Sequence, residues 1–240
     1  MIDWRIQELA DTASTNDDVK KAALDGAAEG LVVWAHQQAK GRGRQGRLWE
    51  SPIGNLYCSI LLRPPLLFSE WGLFSFVAAL AVKDTILTFA PNAFLTLKWP
   101  NDVLVDHKKI SGILLETIEH GIIIGVGINV QHHPSNSPYP TTSLQAIGTN
   151  SQNLRLILDT LLKHLHRWET ILKTEGFSPV RLAWLDNAMK GDLVVRLPQE
   201  TLQGRFIDLN QNGHLCLHLA DGSERAIASG EVFSHPKDNA

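Results

Sequence analysis

Residues 41–47 read GRGRQGR and set three glycines and three arginines against one neutral side chain. Glycine lets the backbone approach a ligand and take positive φ, while arginine offers a planar, permanently charged fork matched to carboxylate and phosphate. A run of this kind suits the holding of a small anion. Gly41, Gly43 and Gly46 also meet the spacing of a dinucleotide loop, which must follow a strand and open a helix. Residues 31–35 supply the strand, but Pro52 and Gly54 preclude the helix, and Leu66 and Leu67 stand where an acidic ribose partner belongs. A Walker loop is excluded as well, since no lysine followed by serine or threonine closes the glycine pattern. On these seven residues alone, a solvated basic surface loop remains the alternative.

A second block covers residues 98–116, KWPNDVLVDHKKISGILLE. A strand carrying Lys98 breaks at Pro100, exposes Asn101 and Asp102, and resumes over residues 103–105. A tight turn follows, and Lys109 begins the next strand, in which Ser111 and Gly112 give way to an apolar run. Polar residues at such a break are where sites are built, although Asn101 and Asp102 can also serve as plain turn formers and Lys109 as a surface charge. The histidine pairs His132–His133 and His164–His166 lack metal-binding spacing, because helix residues two apart point in different directions and no cysteine or carboxylate completes a set. They read as surface residues, and the tryptophans as core anchors, with Trp49 and Trp99 set apart by position.

The elements that position these blocks follow from apolar patterning. Strands are expected over residues 31–35, 56–62, 94–99, 103–105, 113–118 and 122–130, several bounded by glycine or proline. Helical spacing covers residues 16–28, with Ser14 or Thr15 as cap, and 71–90, with Ser69 as cap and Pro91 as stop. Residues 153–173 form the most periodic helix, and 180–189 a short one. From Gly191 the texture changes to short alternating segments with Asn-Gly at 212 and Asp-Gly at 221, the pattern of a five-stranded SH3-like barrel. The expected architecture is α+β: a mixed-sheet domain over residues 1–187 and a small barrel over 188–240.

With 240 residues, 44% apolar and 20% charged, the chain has ordinary globular composition and enough length for that core. A formal net charge of -3 argues against a general nucleic-acid surface, so the loop arginines are a local concentration. Two distant cysteines, Cys58 and Cys216, suit a reducing compartment and offer no zinc site. No signal peptide is visible, and the longest apolar run, residues 121–130, is too short to span a bilayer. A cytoplasmic protein is expected.

Together the two blocks resemble the biotin protein ligases, whose catalytic domains carry a GRGRxGRxW loop and a KWPND block followed by a lysine and a glycine. The resemblance runs from Ser14, Thr15 and Asn16 through Gln38, residues 41–49 and 98–116, the GVGIN run at 125–129 and the C-terminal barrel, essentially the whole chain. It implies an ATP-dependent ligase that activates biotin as biotinyl-5'-AMP and transfers it to a lysine of a biotin carboxyl carrier domain, for example that of acetyl-CoA carboxylase. Carried over residue by residue, it places Ser14, Thr15, Asn16, Gln38, Arg42, Gly43, Arg44, Lys109, Gly112 and Gly125 around biotin. Arg42, Arg44, Arg47, Trp49, Lys109 and Asn129 fall around ATP and the adenylate, with Asn129 at the adenine amino group. Arg44, Lys109 and Asp102 take the catalytic positions, Asp102 orienting the incoming lysine or accepting its proton.

Those roles agree with the chemistry. A ureido ring needs neutral donors and acceptors, the aliphatic tail needs close backbone approach, and cations must offset the repulsion between carboxylate and phosphate. Mg2+ is implied by ATP, with no ligand assigned. The arginine loop is expected to fold over the adenylate and shield it from water. Lipoate ligases and octanoyl transferases of the same broad fold are the nearest rivals, and the arginine-rich loop disfavours them. Some members of the family carry a DNA-binding helix-turn-helix ahead of the catalytic domain. Thirteen residues precede Ser14 here, too few for that module, so no DNA partner is expected. Homodimerisation through a free sheet edge stays open.

Overall fold

The computed structural model describes residues 2–149 and 153–234; the end of the expected second domain lies outside them. Seven strands form the first sheet: β1 (Arg5–Thr12), β2 (Leu31–Gln38), β3 (Leu56–Leu62), β4 (Leu95–Lys98), β5 (Asp102–Val105), β6 (Lys108–Ile118) and β7 (Gly121–Ile128). Their order is β1-β2-β3-β7-β6-β5-β4, with β1 and β2 parallel and the remaining pairs antiparallel. Every residue of β3, LYCSILL, is buried, the run expected of a strand covered on both faces. One face carries α1 (Thr15–Leu24). The other carries α2 (Phe74–Phe89), α3 (Leu154–Glu175) and α4 (Phe177–Asp186).

The two faces are packed unequally. On the α2 side a single large core joins Val32, Trp34, Cys58, Ile60, Ile124 and Val126 to the helices. On the α1 side the buried cluster among the described residues is Val19, Val33, Leu61 and Ile123, with Leu9, Ala23, Leu31 and Ile118 partly buried around it, and polar residues and glycines hold the end of the face toward Ser14 and Gln38. The site described below occupies this thinner face.

Several expectations need correction. β1 was not expected, because RIQELADT shows little apolar alternation; its pairing with β2, Arg5 opposite Leu31, makes it a strand. α1 ends at Leu24, before the residue 28 expected, and its N-cap Ser14 makes no side-chain capping bond. Ser69 caps nothing: a 3-10 segment, Phe68–Leu73, leads into α2, whose N-cap is Leu73. The stretch Phe68–Phe89 is long and apolar enough to cross a membrane by length and composition, contrary to the sequence reading, in which scattered polar residues hid it. In the fold its α2 part is a mostly buried core helix wedged between the sheet and α3, with Lys83, Asp84 and Thr88 at its less buried edge. Trp99 is also a core residue, 3% exposed.

The second sheet is antiparallel and SH3-like, built from β8 (Asp192–Arg196), β9 (Thr201–Leu209), β10 (Leu215–Leu219), β11 (Glu224–Ile227) and β12 (Glu231–Ser234) in the order β11-β10-β9-β8-β12. It is anchored rather than tethered. Gly213, at φ +74 in the β9–β10 turn, lies against Phe76 of α2, where a Cβ would stand 2.5 Å from the ring. Trp99 Nε1 donates to Gly213 O at 3.0 Å, and Arg181 pairs with Asp208. Leu193, Val195, Phe206 and Leu209 belong to the same buried cluster as Phe76 and Trp184, so one core runs through both sheets.

Candidate active site

Three chambers adjoin one another at the end of the first sheet where β2 ends and β3 and β6 begin. The first, about 50 Å³, is lined by Ser14, Thr15, Asn16, Gln38, Arg42, Trp49, Gly112, Gly125 and Gly127, among others. Its floor is backbone. A Cβ on Gly127 would stand 2.6 Å from Trp49 Nε1, one on Gly112 2.9 Å from Trp49 Cζ3, and one on Gly125 would collide with Asn16 Oδ1. Apart from Arg42, its polar walls are neutral and mutually hydrogen-bonded. Gln38 Oε1 accepts from Thr15 N–H at 2.9 Å and lies 3.1 Å from Thr15 Oγ1, while Gln38 Nε2 donates to Ser51 Oγ at 3.0 Å. Asn16 Nδ2 donates to Glu116 at 2.7 Å, and Ser59 Oγ lies 2.7 Å from Thr15 Oγ1. Burial pushes the thiol pKa of Cys58, beneath them, up to about 12, which disfavours the thiolate.

The second chamber, about 60 Å³, is charged. Arg44, Arg47, Lys98 and Lys109 face the carboxylates Asp102 and Glu231, with Tyr139 completing the wall. Lys109 Nζ lies 2.7 Å from Asp102 Oδ1 and within 5.3 Å of the ring centres of both Trp49 and Tyr139. Lys98 sits over Tyr139 and Phe233, at 5.6 and 5.3 Å. Burial lowers the pKa of both Arg44 and Lys98, with Asp102 offsetting part of each shift. Four cations against two carboxylates leave an excess of positive charge, the requirement for holding phosphate.

The third chamber, about 350 Å³, is the largest of the three and mostly apolar. Leu48, Trp49, Pro134, Pro138, Tyr139 and Phe233 surround it, and Asn129 stands at its inner end. Asn129 is 3% exposed; its Nδ2 donates to Thr142 O at 2.9 Å, so the carbonyl oxygen is the end left to accept. Adjacent chambers share walls: Asn101 lines the first and second, Lys109 the second and third, and Trp49 the first and third. The Trp49 indole N–H is buried with no hydrogen-bond partner.

The arginine loop stitches the first two chambers together. Gln45 sits at φ +56, folding the chain so that Gly43 N–H meets Arg47 O at 2.8 Å and Arg42 bridges to Leu48. Arg42 turns toward the first chamber, bidentate to Asp17 at 2.7 and 2.9 Å and 3.1 Å from Glu116, and these bonds, led by Asp17, raise its pKa. Arg44 reaches Asn101 Oδ1 at 3.4 Å and Gly230 O at 3.2 Å. Arg47 makes a bidentate pair with Glu231.

The expected site residues therefore gather, with two exceptions. Gly43 lines none of the three chambers, and Arg42 stands apart from the phosphate-like cluster, facing the first chamber alone. Residues that sequence reasoning passed over are Lys98, Gly127, Tyr139 and Glu231. Lys98 and Gly127 lay inside blocks already singled out, whereas nothing local marks Glu231, whose significance comes only from docking of the barrel. No group of three His, Cys, Asp or Glu side chains is arranged to hold a metal among the described residues.

Known proteins resemble this chain over most of its length. Residues 9–129 match the biotin/lipoate A/B protein ligase family, and residues 194–234 match the biotin protein ligase C-terminal domain. A biotin--[acetyl-CoA-carboxylase] ligase of Paracoccus denitrificans is 36% identical over 238 residues, covering 94% of this chain and 98% of that one. Its Mycobacterium tuberculosis counterpart is 32% identical, covering 95% and 89%. The solved biotin protein ligase of Aquifex aeolicus, in complex with biotin and ATP, superposes with a TM-score of 0.85 at 27% identity, covering 95% of this chain and 97% of that one. Sequence and fold agree, and the chain belongs to the biotin/lipoate A/B protein ligase family as a biotin protein ligase.

Proposed function

We propose that this chain joins biotin to ATP as biotinyl-5'-AMP and then transfers the biotinyl group to a lysine of a biotin carboxyl carrier domain. The observation that carries the reading is the meeting of three chambers of different chemistry. A polar slot, a cationic cluster and an apolar cavity with one amide at its end match the ureido acid, the phosphate and the adenine of the adenylate.

In this reading Ser14, Thr15, Asn16 and Gln38 exchange their present partners for the ureido ring, and Gly112, Gly125 and Gly127 admit its body. Trp49 and Arg42 narrow the slot and move aside as biotin enters. Arg44, Arg47 and Lys109 then gather the biotin carboxylate and the phosphates, so that a carboxylate oxygen attacks the α-phosphorus and pyrophosphate departs. Asn129 Oδ1 accepts from the adenine amino group, and the Trp49 indole closes over the nucleotide. In the second step the carrier's lysine nitrogen attacks the acyl carbon, AMP leaves, and Asp102 orients the amine or takes its proton. Asp102 and Glu231 are both held by cations, so a magnesium ion would travel with the nucleotide's phosphates and water rather than in a protein cage.

The division into a catalytic domain, residues 1–187, and a barrel, residues 188–240, belongs to the proposal; the end of α4 at Asp186 and the start of β8 at Asp192 support it. So does the cytoplasmic placement, for which the free state of Cys58 and Cys216 speaks. Incubation with ATP, magnesium and either biotin or lipoate, followed by assay of acid-labile acyl-adenylate and of transfer to a carrier domain, tests the whole reading. Biotinyl-adenylate and a biotinylated carrier are expected. No adenylate with biotin, or adenylate with lipoate alone, would sink it.

A further inference from the structure

We infer that Glu231 is an internal stand-in for the nucleotide's outer phosphates: its carboxylate occupies the cation cluster and must be displaced when a polyphosphate enters. The barrel delivers this carboxylate from the first residue of β12, 18% exposed, into the second chamber. There Arg47 grips both of its oxygens, with Oε2 2.6 Å from Nη2, and Arg196 Nη1 lies 4.0 Å from the same oxygen. Arg44, anchored on the neighbouring Gly230 O, and Lys98, over the ring of Phe233, flank the pair.

A planar two-oxygen acceptor in a guanidinium fork satisfies the geometry that a phosphate would. Of the carboxylates lining the chamber, Asp102 is taken by Lys109 and belongs to the first sheet; Glu231 is the one contributed by the barrel. The arrangement has two consequences. Without a nucleotide it holds mutually repelling cations in register and ties the arginine loop to the barrel. With one, it subtracts from binding, because Arg47 can serve Glu231 or a phosphate but the carboxylate and phosphate repel each other. Apparent affinity is then the intrinsic affinity reduced by the fraction of molecules in which Glu231 has left Arg47. After adenylate formation, return of Glu231 to Arg47 favours departure of pyrophosphate.

The inference rests on the ligase reading only for the identity of the polyanion, so binding is measured directly with inorganic pyrophosphate and with AMP, neither of which requires turnover. Glu231→Gln, which keeps the shape and removes the charge, is expected to bind pyrophosphate about fivefold or more tightly than the unmodified protein, with AMP binding unchanged. Equal or weaker pyrophosphate binding by a folded Glu231→Gln variant overturns the inference and leaves a purely structural latch. Should that variant not fold, the side-chain carboxyl carbon signal of Glu231 in the unmodified protein provides the measurement. It should shift on saturation with pyrophosphate and not with AMP; a signal unmoved by bound pyrophosphate overturns the inference equally. Failure of adenylate formation in the unmodified protein would count against the ligase reading and leave both binding comparisons intact.

Discussion

Arg42 and Arg47 share one short loop, yet Arg42 is held by Asp17 and Glu116 of the first domain while Arg47 is held by Glu231 of the barrel. The chambers they serve differ in the same way. The polar slot takes its floor and most of its walls from α1, β2, β3, β6 and β7, whose strands share one hydrogen-bonded sheet, so those parts are fixed by backbone pairing and only Arg42, Trp49 and Asn101 reach it from loops. The cation cluster draws Arg44 and Arg47 from the loop, Lys98 to Lys109 from β4 to β6, Tyr139 from a connecting loop and Glu231 from the second sheet. Lys98 to Lys109 share a ladder, but the loop arginines and Glu231 are joined to it and to each other only by side-chain pairs and packing. A slot for a rigid neutral ring tolerates being built once; a cluster that must admit and release charged groups is better made of parts that can separate.

Three substitutions test that distinction. The largest effect is expected from Asp102→Asn in the cluster: transfer to the carrier lysine should fall by ~10²–10⁴-fold with adenylate formation retained, measured by single-turnover transfer from preformed adenylate. Transfer at the normal rate removes the role given to Asp102. Next comes Arg44→Ala, which takes a charged donor from the cluster. Release of free adenylate should quicken by ~10–100-fold, with a smaller loss of affinity for biotin alone, whose carboxylate keeps Arg47 and Lys109, as read by stopped-flow chase and by titration. Unchanged retention would count against a loop that guards the adenylate. The smallest effect is the mirror image, Gly125→Ala, whose Cβ would run into Asn16 and break its bonds to Ser59 and Glu116. A stability loss of about 1–3 kcal/mol in denaturant and weakened biotin binding are expected, with pyrophosphate binding preserved. Equal losses for both ligands would show the two chambers to be one mechanical unit.

Much of this was legible in the residues, for reasons that differ from block to block. The GRGRQGR loop and the 98–116 block announce themselves because their function depends on residue type at short spacing. The buried strands announce themselves because β3 and β7 are apolar on both faces. β1 did not, since an edge strand exposed on most of its residues has no pattern to show. The membrane-length stretch ending α2 was missed because Ser75, Lys83 and Asp84 interrupt a segment that is apolar on average, and burial in the core explains its composition without a membrane. Trp99 was set aside for its place in a motif, yet its ring is packed beneath the β9–β10 turn.

The sequence by itself determined the chemistry: forks for anions at Arg42, Arg44 and Arg47, close backbone approach at Gly112 and Gly125, and the hairpin signals that build a barrel. Those properties are local, set by side-chain type and by what a backbone without Cβ permits. Tertiary structure decided which carboxylate each arginine holds. Arg47 and Glu231 are 184 positions apart, and no periodicity links them. Their meeting follows from the packing of Gly213 on Phe76 and of Trp99 on the same turn, which fixes the second sheet against the first and carries β12 to the mouth of the cation cluster. An ion pair of that separation is a product of the continuous core, because only close packing of two sheets can hold two charges at bonding distance across so long a stretch of chain.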